Sequence, residues 1–161
     1  CLTPPIGSRD GKRQLELVLG LVQALGARAL MLDPDVHDTI VAGVSHVPHV
    51  VAAALVNAVG AATTAEMPML QLAAGGFRDT TRIAAGPSDV WRDICLTNKD
   101  AILHMLQRLH VALAEIQQAV QREDSEALVR LFDAARATRS AIRSPKQASA
   151  VQRANPPPKH R

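Results

Sequence analysis

The sequence predicts a mainly α-helical fold preceded by a short β-α-β segment, on three observations. Hydrophobic residues make up 47% of the 161 positions while aromatics make up 2%, with no Tyr. A core of Leu, Val, Ile and Ala suits packed helices better than a β-sandwich. Apolar residues recur every three or four positions through most of the chain, as helices with one buried face require. Only the opening breaks that rhythm. Leu2 to Pro5 reads as the end of a strand, and Ala27 to Leu32 as a second short one. Between them Lys12 to Leu25 reads as a helix, with Leu15, Val18, Leu19, Val22 and Leu25 at helical spacing. One β-α-β crossover is too small to stand as a domain, so residues 1–32 read as the last piece of an α/β domain.

Gly26 is a natural stop for the first helix. Asp33 is a good N-cap with Pro34 at N1, opening a helix that runs to about Gly43. Ser45 caps a second, longer helix in which His46 is N1 and Pro48 is N3, where a missing N–H costs nothing. That helix continues through Ala52, Ala53, Leu55, Val56 and Val59 to about Ala62. Glu66 to Ala74 reads as a short helix entered near Pro68. Gly75-Gly76 allows a tight reversal with positive φ, followed by Phe77 as a buried anchor and then a charged helical turn. Ser88 caps a helix from Asp89 to about Thr97, with Asp89 in the favourable first turn. The longest helix, about Asn98 to Arg122, carries Ile102, Met105, Leu106, Leu109, Leu113, Ile116 and Val120 as one stripe. Ser125 and Glu126 open the last helix, with Leu128, Leu131, Phe132, Ala135 and Ile142 on one face. The seam of this hairpin suits a dimer interface, and packing within one chain explains it equally well. Ser144 to Arg161, with four prolines among Lys, Arg and Gln, reads as a disordered basic tail.

Charged residues make up 20% and the net charge is +3. The basic excess is concentrated at the end, where Arg130 to Arg161 holds a single acid, Asp133. That weighs against a polyanion-binding folded part. Cys1 and Cys95 show neither a disulfide framework nor metal-ligand spacing, and Cys95 fits an apolar helical pattern as a small core residue. Val47 to Ala62 is interrupted by Pro48, His49 and Asn57 and is short for a membrane span. No signal peptide is evident, so a reducing, cytoplasmic setting is the default. A chain beginning at Cys1, without an initiator Met, reads as a fragment or a processed product.

The stretch Leu72 to Trp91 concentrates the charged chemistry. Arg78 and Arg82 are i,i+4 neighbours on one helix face, and their repulsion costs roughly a few tenths of a kcal/mol unless something negative lies between them. Asp79 is placed to hold the Arg82 guanidinium, and an Arg fork matches a planar carboxylate. The same residues also make an ordinary solvated helix start whose charges pair with one another. His46 and His49 are i,i+3 at a helix N-terminus, where partial positive charge disfavours imidazolium and welcomes an anion. Either alone reads as a satisfied core histidine. Together, beside Pro48 and upstream of the Arg turn, they gain as a site. Two His without a Cys or a fixed carboxylate set do not make a zinc site, and nothing fixes His37 and Asp38 as further ligands, so no metal is expected.

GGFRDTTRIA followed by VWRDICLTNKDAI resembles the C-terminal helical domain of the prephenate/arogenate dehydrogenase family. The upstream run HDTIVAGVSHVPHVVAAALV is similar to the same family's His-Asp and Ser-His-x-Pro-His segment. Order and approximate spacing match from roughly Leu2 to Arg143. The resemblance implies an all-helical substrate-binding and dimerisation domain at residues 33–143. Residues 1–32 would be the tail of a dinucleotide-binding α/β domain and residues 144–161 the basic tail. It implies that a nicotinamide cofactor, NAD or NADP, takes a hydride from prephenate or arogenate in tyrosine biosynthesis, with loss of the ring carboxylate as CO₂. Substrate carboxylates call for Arg partners. By position in the motif, Arg82 holds one of them, His49 and then His46 orient the substrate by hydrogen bonds, and Arg78 supports. Asp79 and Trp91 match family positions near the site, reaching across a homodimer interface.

The family's catalytic His, its His-Pro-Met segment and its Gly-rich dinucleotide loop belong to the N-terminal domain. The sequence contains no Gly-x-Gly-x-x-Gly. This chain is therefore expected to supply part of the substrate pocket and the dimer interface, and alone neither to bind cofactor well nor to catalyse. No nucleic-acid or membrane partner is expected. Two readings compete. A stand-alone helical interaction or regulatory module would work through the stripe from Ile102 to Val120 or the basic tail, and would survive loss of Arg82. An all-helical chorismate mutase is disfavoured by the β-α-β opening and by the lack of a matching motif.

Overall fold

The structure is a computed structural model that describes residues 1–3 and 9–142. The expected basic tail, Ser144–Arg161, lies outside the described residues, as do Pro4 and Pro5 of the first expected strand. The described chain is helical: α1 Arg9–Ala24, α2 Pro34–Val41, α3 Val47–Ala62, α4 Gly75–Thr81, α5 Ser88–Thr97, α6 Lys99–Gln121 and α7 Ser125–Ala141. A π turn, Ala42–His46, joins α2 to α3, and a 3₁₀ turn, Arg82–Ala85, follows α4. The chain forms two compact units, residues 1–108 and 109–161.

The expected β-α-β opening is reduced to one parallel bridge between Leu2 and Met31. The Leu2 N–H donates to Leu30 O at 2.9 Å and the Leu32 N–H to Leu2 O at 3.1 Å. No strand forms among the described residues. Parallel strands persist where further strands flank them and helices cover both faces, whereas Leu30 and Met31 are exposed here. Gly26 ends α1 with φ +66°, as its position predicts.

One continuous helix from Pro34 to Ala62 replaces the two that were expected. Its cap is as predicted: Asp33 Oδ1 accepts from the N–H of Asp35 at 2.9 Å and of Val36 at 3.4 Å. Ser45 is not a cap, because α2 passes into α3 through the π turn, where the Val47 N–H donates to Ala42 O. Pro48 supplies the reason. It offers no N–H, and its ring presses on the carbonyl four residues back. One wide turn absorbs both effects without ending the helix. The whole run is 29 residues with a mean hydropathy of 1.7. By length and composition that whole run suffices to cross a membrane, although Val47–Ala62 alone is 16 residues, as short as the sequence indicates. Ala42, Val47, His49 and Ala52 are its buried positions.

Glu66 to Ala74 forms successive tight turns instead of a helix. The N–H groups of Gln71, Leu72 and Ala73 each bond a carbonyl three residues back, and Pro68 leaves too few donors to nucleate an α-helix. These turns make the reversal assigned to Gly75 and Gly76. Both glycines open α4 instead, and the positive-φ positions among the described residues are Gly26 and Glu123. Phe77 is half-buried, while Thr81 is buried and its Oγ1 donates to Phe77 O at 2.7 Å. α4 and the 3₁₀ turn both pack against α3. Pro87 holds the cap position of α5, so Ser88 is its first helical residue.

Ile102 of α6 is buried in the first unit. In the second unit Glu123 takes φ 54°, and Asp124 caps α7 by accepting from the Ala127 N–H at 2.9 Å. Ser125 thus opens the last helix as expected. Ala119 is buried, but Leu113 and Phe132 remain 55% and 62% exposed. The seam predicted from the apolar stripe is only partly covered.

Candidate functional site

α3 carries His49 and α5 carries Trp91, and the two rings stack with centroids 3.4 Å apart and planes 12° from parallel. His49 is 8% exposed. Gly86, between the 3₁₀ turn and α5, makes the stack possible. A Cβ at that position would lie 2.7 Å from Trp91 Nε1 and 2.9 Å from His49 Cε1. Its φ of −66° is open to any residue, so the requirement is for space. His46 meets Trp91 edge-on, with centroids 6.4 Å apart at 82°. Beside the stack opens a cavity of about 490 Å³, whose lining includes His49, Ala53, Asn57, Gly86, Trp91 and Arg92. A second, more polar groove of about 560 Å³ lies along Asp35, Asp38, Thr39 and residues 96–101, away from the stacked rings.

Burial lowers the His49 pKa from its ordinary value of 6.5. Burial also lowers that of His46, with Asp38 opposing and His37 adding to the shift. Both rings are therefore neutral at neutral pH. This is the direction expected from the sequence, but the helix N-terminus is not its cause, because no helix begins at Ser45. The consequence for stability has a definite sign. Each His binds its proton more weakly folded than unfolded, so stability is fully present above about pH 6.5 and falls as pH drops below it. Melting temperatures recorded from pH 7.5 down to 5 should decline, and His49→Gln should flatten part of that slope. A profile unchanged by His49→Gln would show that the ring does not titrate with folding.

The Arg turn is arranged differently from either reading of the sequence. Arg78 Nε donates to Ala73 O at 3.1 Å. Asp93 pairs with Arg92 at 2.8 Å. Asp79 and Arg82 are exposed, and neither side chain forms an ion pair or hydrogen bond among the described residues. The expected Asp79–Arg82 pair is thus not made. The tighter winding of the 3₁₀ turn directs Ala84 and then Gly86, not Arg82, to the cavity wall. The structure brings His46, His49 and Trp91 together and leaves Arg78, Asp79 and Arg82 on the adjoining turn. Sequence reasoning missed Gly86, Arg92 and Asn98. Gly86-Pro87-Ser88 carries a usable signal, a glycine at a helix entrance where backbone and rings approach closely. No group of three or more potential metal ligands occurs among the described residues.

Fold and cavity define a helical domain with a small concave site and an uncovered hairpin. The chain belongs to the family described as "Prephenate dehydrogenase, dimerization domain", which it matches over residues 33–134. It is 36% identical over 141 residues to a prephenate dehydrogenase of Bacillus subtilis, covering 88% of this chain and 38% of that protein. It is 32% identical over 123 residues to a cyclohexadienyl dehydrogenase of Zymomonas mobilis, covering 76% of this chain and 42% of that one. Among solved structures it is similar to the Aquifex aeolicus prephenate dehydrogenase in complex with hydroxyphenyl propionate and NAD+. There the TM-score is 0.80 at 32% identity, over 88% of this chain and 49% of that one. The chain thus spans half or less of the proteins it matches.

Proposed function

We propose that this chain is the substrate-binding and dimerising part of a prephenate or arogenate dehydrogenase, which oxidatively decarboxylates a cyclohexadienyl substrate in tyrosine biosynthesis. One observation carries the reading: the His49–Trp91 stack, closed by Gly86, beside a cavity of about 490 Å³. Residues 33–143 form the binding and dimerisation domain, residues 1–32 the end of a dinucleotide-binding domain, and residues 144–161 an appended tail. Two such chains assemble as a homodimer in the cytoplasm.

In this reading the exposed Arg82 fork takes a substrate carboxylate by charge-assisted bonds. Arg78, anchored through Nε to the Ala73 carbonyl, supports it. Neutral His49 and His46 orient the substrate by hydrogen bonds. The ring of Trp91 forms one wall, and Asp79 lies at the edge of the turn, near the partner chain. In the whole enzyme NAD or NADP accepts the hydride. The residues described here do not fit its phosphates: Gly75 and Gly76 follow turns instead of a strand, so they do not make the phosphate-binding loop of a dinucleotide fold. This chain's own part is to bind and to orient.

Arg82→Ala in the complete enzyme should raise KM for the substrate. Losing one charged hydrogen-bond partner costs about 1.5–3 kcal/mol, which is roughly a tenfold to hundredfold change. Circular dichroism should be unchanged, because Arg82 is exposed. Wild-type kinetics would remove Arg82 from the site.

A further inference from the structure

Asn98 lies where α5 ends and α6 begins. Its N–H donates to Ile94 O at 3.0 Å, and its carbonyl accepts from the Ile102 N–H at 3.1 Å. Its side chain reaches across to the other helix pair. Nδ2 donates to the main-chain oxygen of Asp38 at 2.8 Å and lies 3.2 Å from His46 Nδ1. An amide NH₂ has two hydrogens, and each has one acceptor within reach. The opposite orientation would set Oδ1 against the Asp38 carbonyl, two acceptors with no hydrogen between them, so that carbonyl fixes the amide. His46 Nδ1 must then offer a lone pair. In a neutral imidazole the ring proton is consequently on Nε2.

We infer that Asn98 is a positioning residue that fixes His46 as the Nε2–H tautomer, so that His46 meets a ligand as a hydrogen-bond donor. The surroundings agree. The Asp38 carboxylate is engaged by His37 Nδ1 at 2.9 Å, which leaves its main-chain oxygen to hold Asn98. The edge-on contact with Trp91 holds the plane of the His46 ring. A second group that sets which ring nitrogen carries the proton is a recurring device wherever a histidine must act in one sense only. The donor role rests on the reading of His46 as a substrate-orienting residue, whereas the tautomer does not.

Long-range ¹H–¹⁵N correlation spectra of the ¹⁵N-labelled 161-residue chain at pH 7.5 test the tautomer directly. The expected pattern for His46 is a protonated Nε2 and an acceptor Nδ1. Asn98→Asp replaces a donor with an acceptor, so His46 should switch to Nδ1–H or imidazolium. Asn98→Ala should give a mixture of tautomers, and serves if the aspartate variant does not fold. In the complete enzyme Asn98→Asp should raise KM about tenfold or more, with kcat less affected. An Nδ1–H ring in the unsubstituted chain, or a tautomer that neither variant moves, overturns the inference and leaves the Arg82 reading standing. The expected tautomer together with unchanged KM in both variants overturns the donor role and removes His46 from the substrate site.

Discussion

Gly86→Ala should separate His49 from Trp91. The added methyl carbon would sit 2.7 Å from the indole nitrogen and 2.9 Å from the imidazole, well inside van der Waals contact. Neither obstacle is the free end of a flexible chain. Both are rings, one of them on a buried residue of α3. Relief requires a ring to leave the stack or the segment after the 3₁₀ turn to move outward. Overpacking of this kind costs about 1–3 kcal/mol, or a fall in melting temperature of several degrees in a chain this size. Trp91 is the only tryptophan in the sequence, so intrinsic fluorescence reports on this contact alone, and its intensity and emission maximum should both shift. In the complete enzyme the misplaced His49 should raise KM by more than the melting data alone imply. If fluorescence and melting temperature both match the wild type, the site has slack and Gly86 is not needed for it.

The second large effect is expected at Leu113. It belongs to the apolar stripe of α6, yet it is 55% exposed, and Phe132 on α7 is 62% exposed. A dimer that covers these side chains would remove roughly 100 Å² or more of apolar surface with each, worth about 2–3 kcal/mol apiece. Leu113→Asp forfeits that gain and places a charge where it cannot be hydrated. Association should therefore weaken by a factor of 100 or more, and light scattering should show monomers that retain their helical circular dichroism. A dimer mass that persists in Leu113→Asp would assign the interface to another face. An unfolded variant would instead place Leu113 in the core, and Phe132→Asp would then provide the surface test.

What the sequence revealed was local. The Asp33 cap, the stop at Gly26 and the run of α6 all depend on neighbours within one or two helical turns, and each is where the pattern puts it. His46 and His49 were legible as a pair because i,i+3 spacing fixes their relation whatever surrounds them. The partner of that pair was not legible as a contact: Trp91 reaches His49 only because the 3₁₀ turn and Gly86 bring α5 against α3. The Arg turn was misjudged for a related reason. Its winding tightens after Thr81, and no local signal in RIAA distinguishes a 3₁₀ turn from another turn of α-helix. Ser45 misled because a good capping residue ahead of a proline satisfies two readings at once. The bridge at Leu2 and Met31 shows the same limit from the other side, since strand-like sequence becomes a strand only when there is a sheet for it to join.

The wide turn at Ala42–His46 also constrains how this gene can vary. A π turn spends one residue more than an α-helix to cover the same arc, so it sets the phase between the two halves of the Pro34–Ala62 rod. At about 100° per residue, rewinding it as a plain α-helix would rotate everything beyond Val47 relative to α2, and His49 would no longer face Trp91. Val44 and Ser45 are exposed, and a catalogue of single substitutions would score them as tolerant. Gaining or losing one codon there is another matter. In this stretch length is under tighter constraint than composition, and in-frame insertions and deletions, not missense changes, would reveal it.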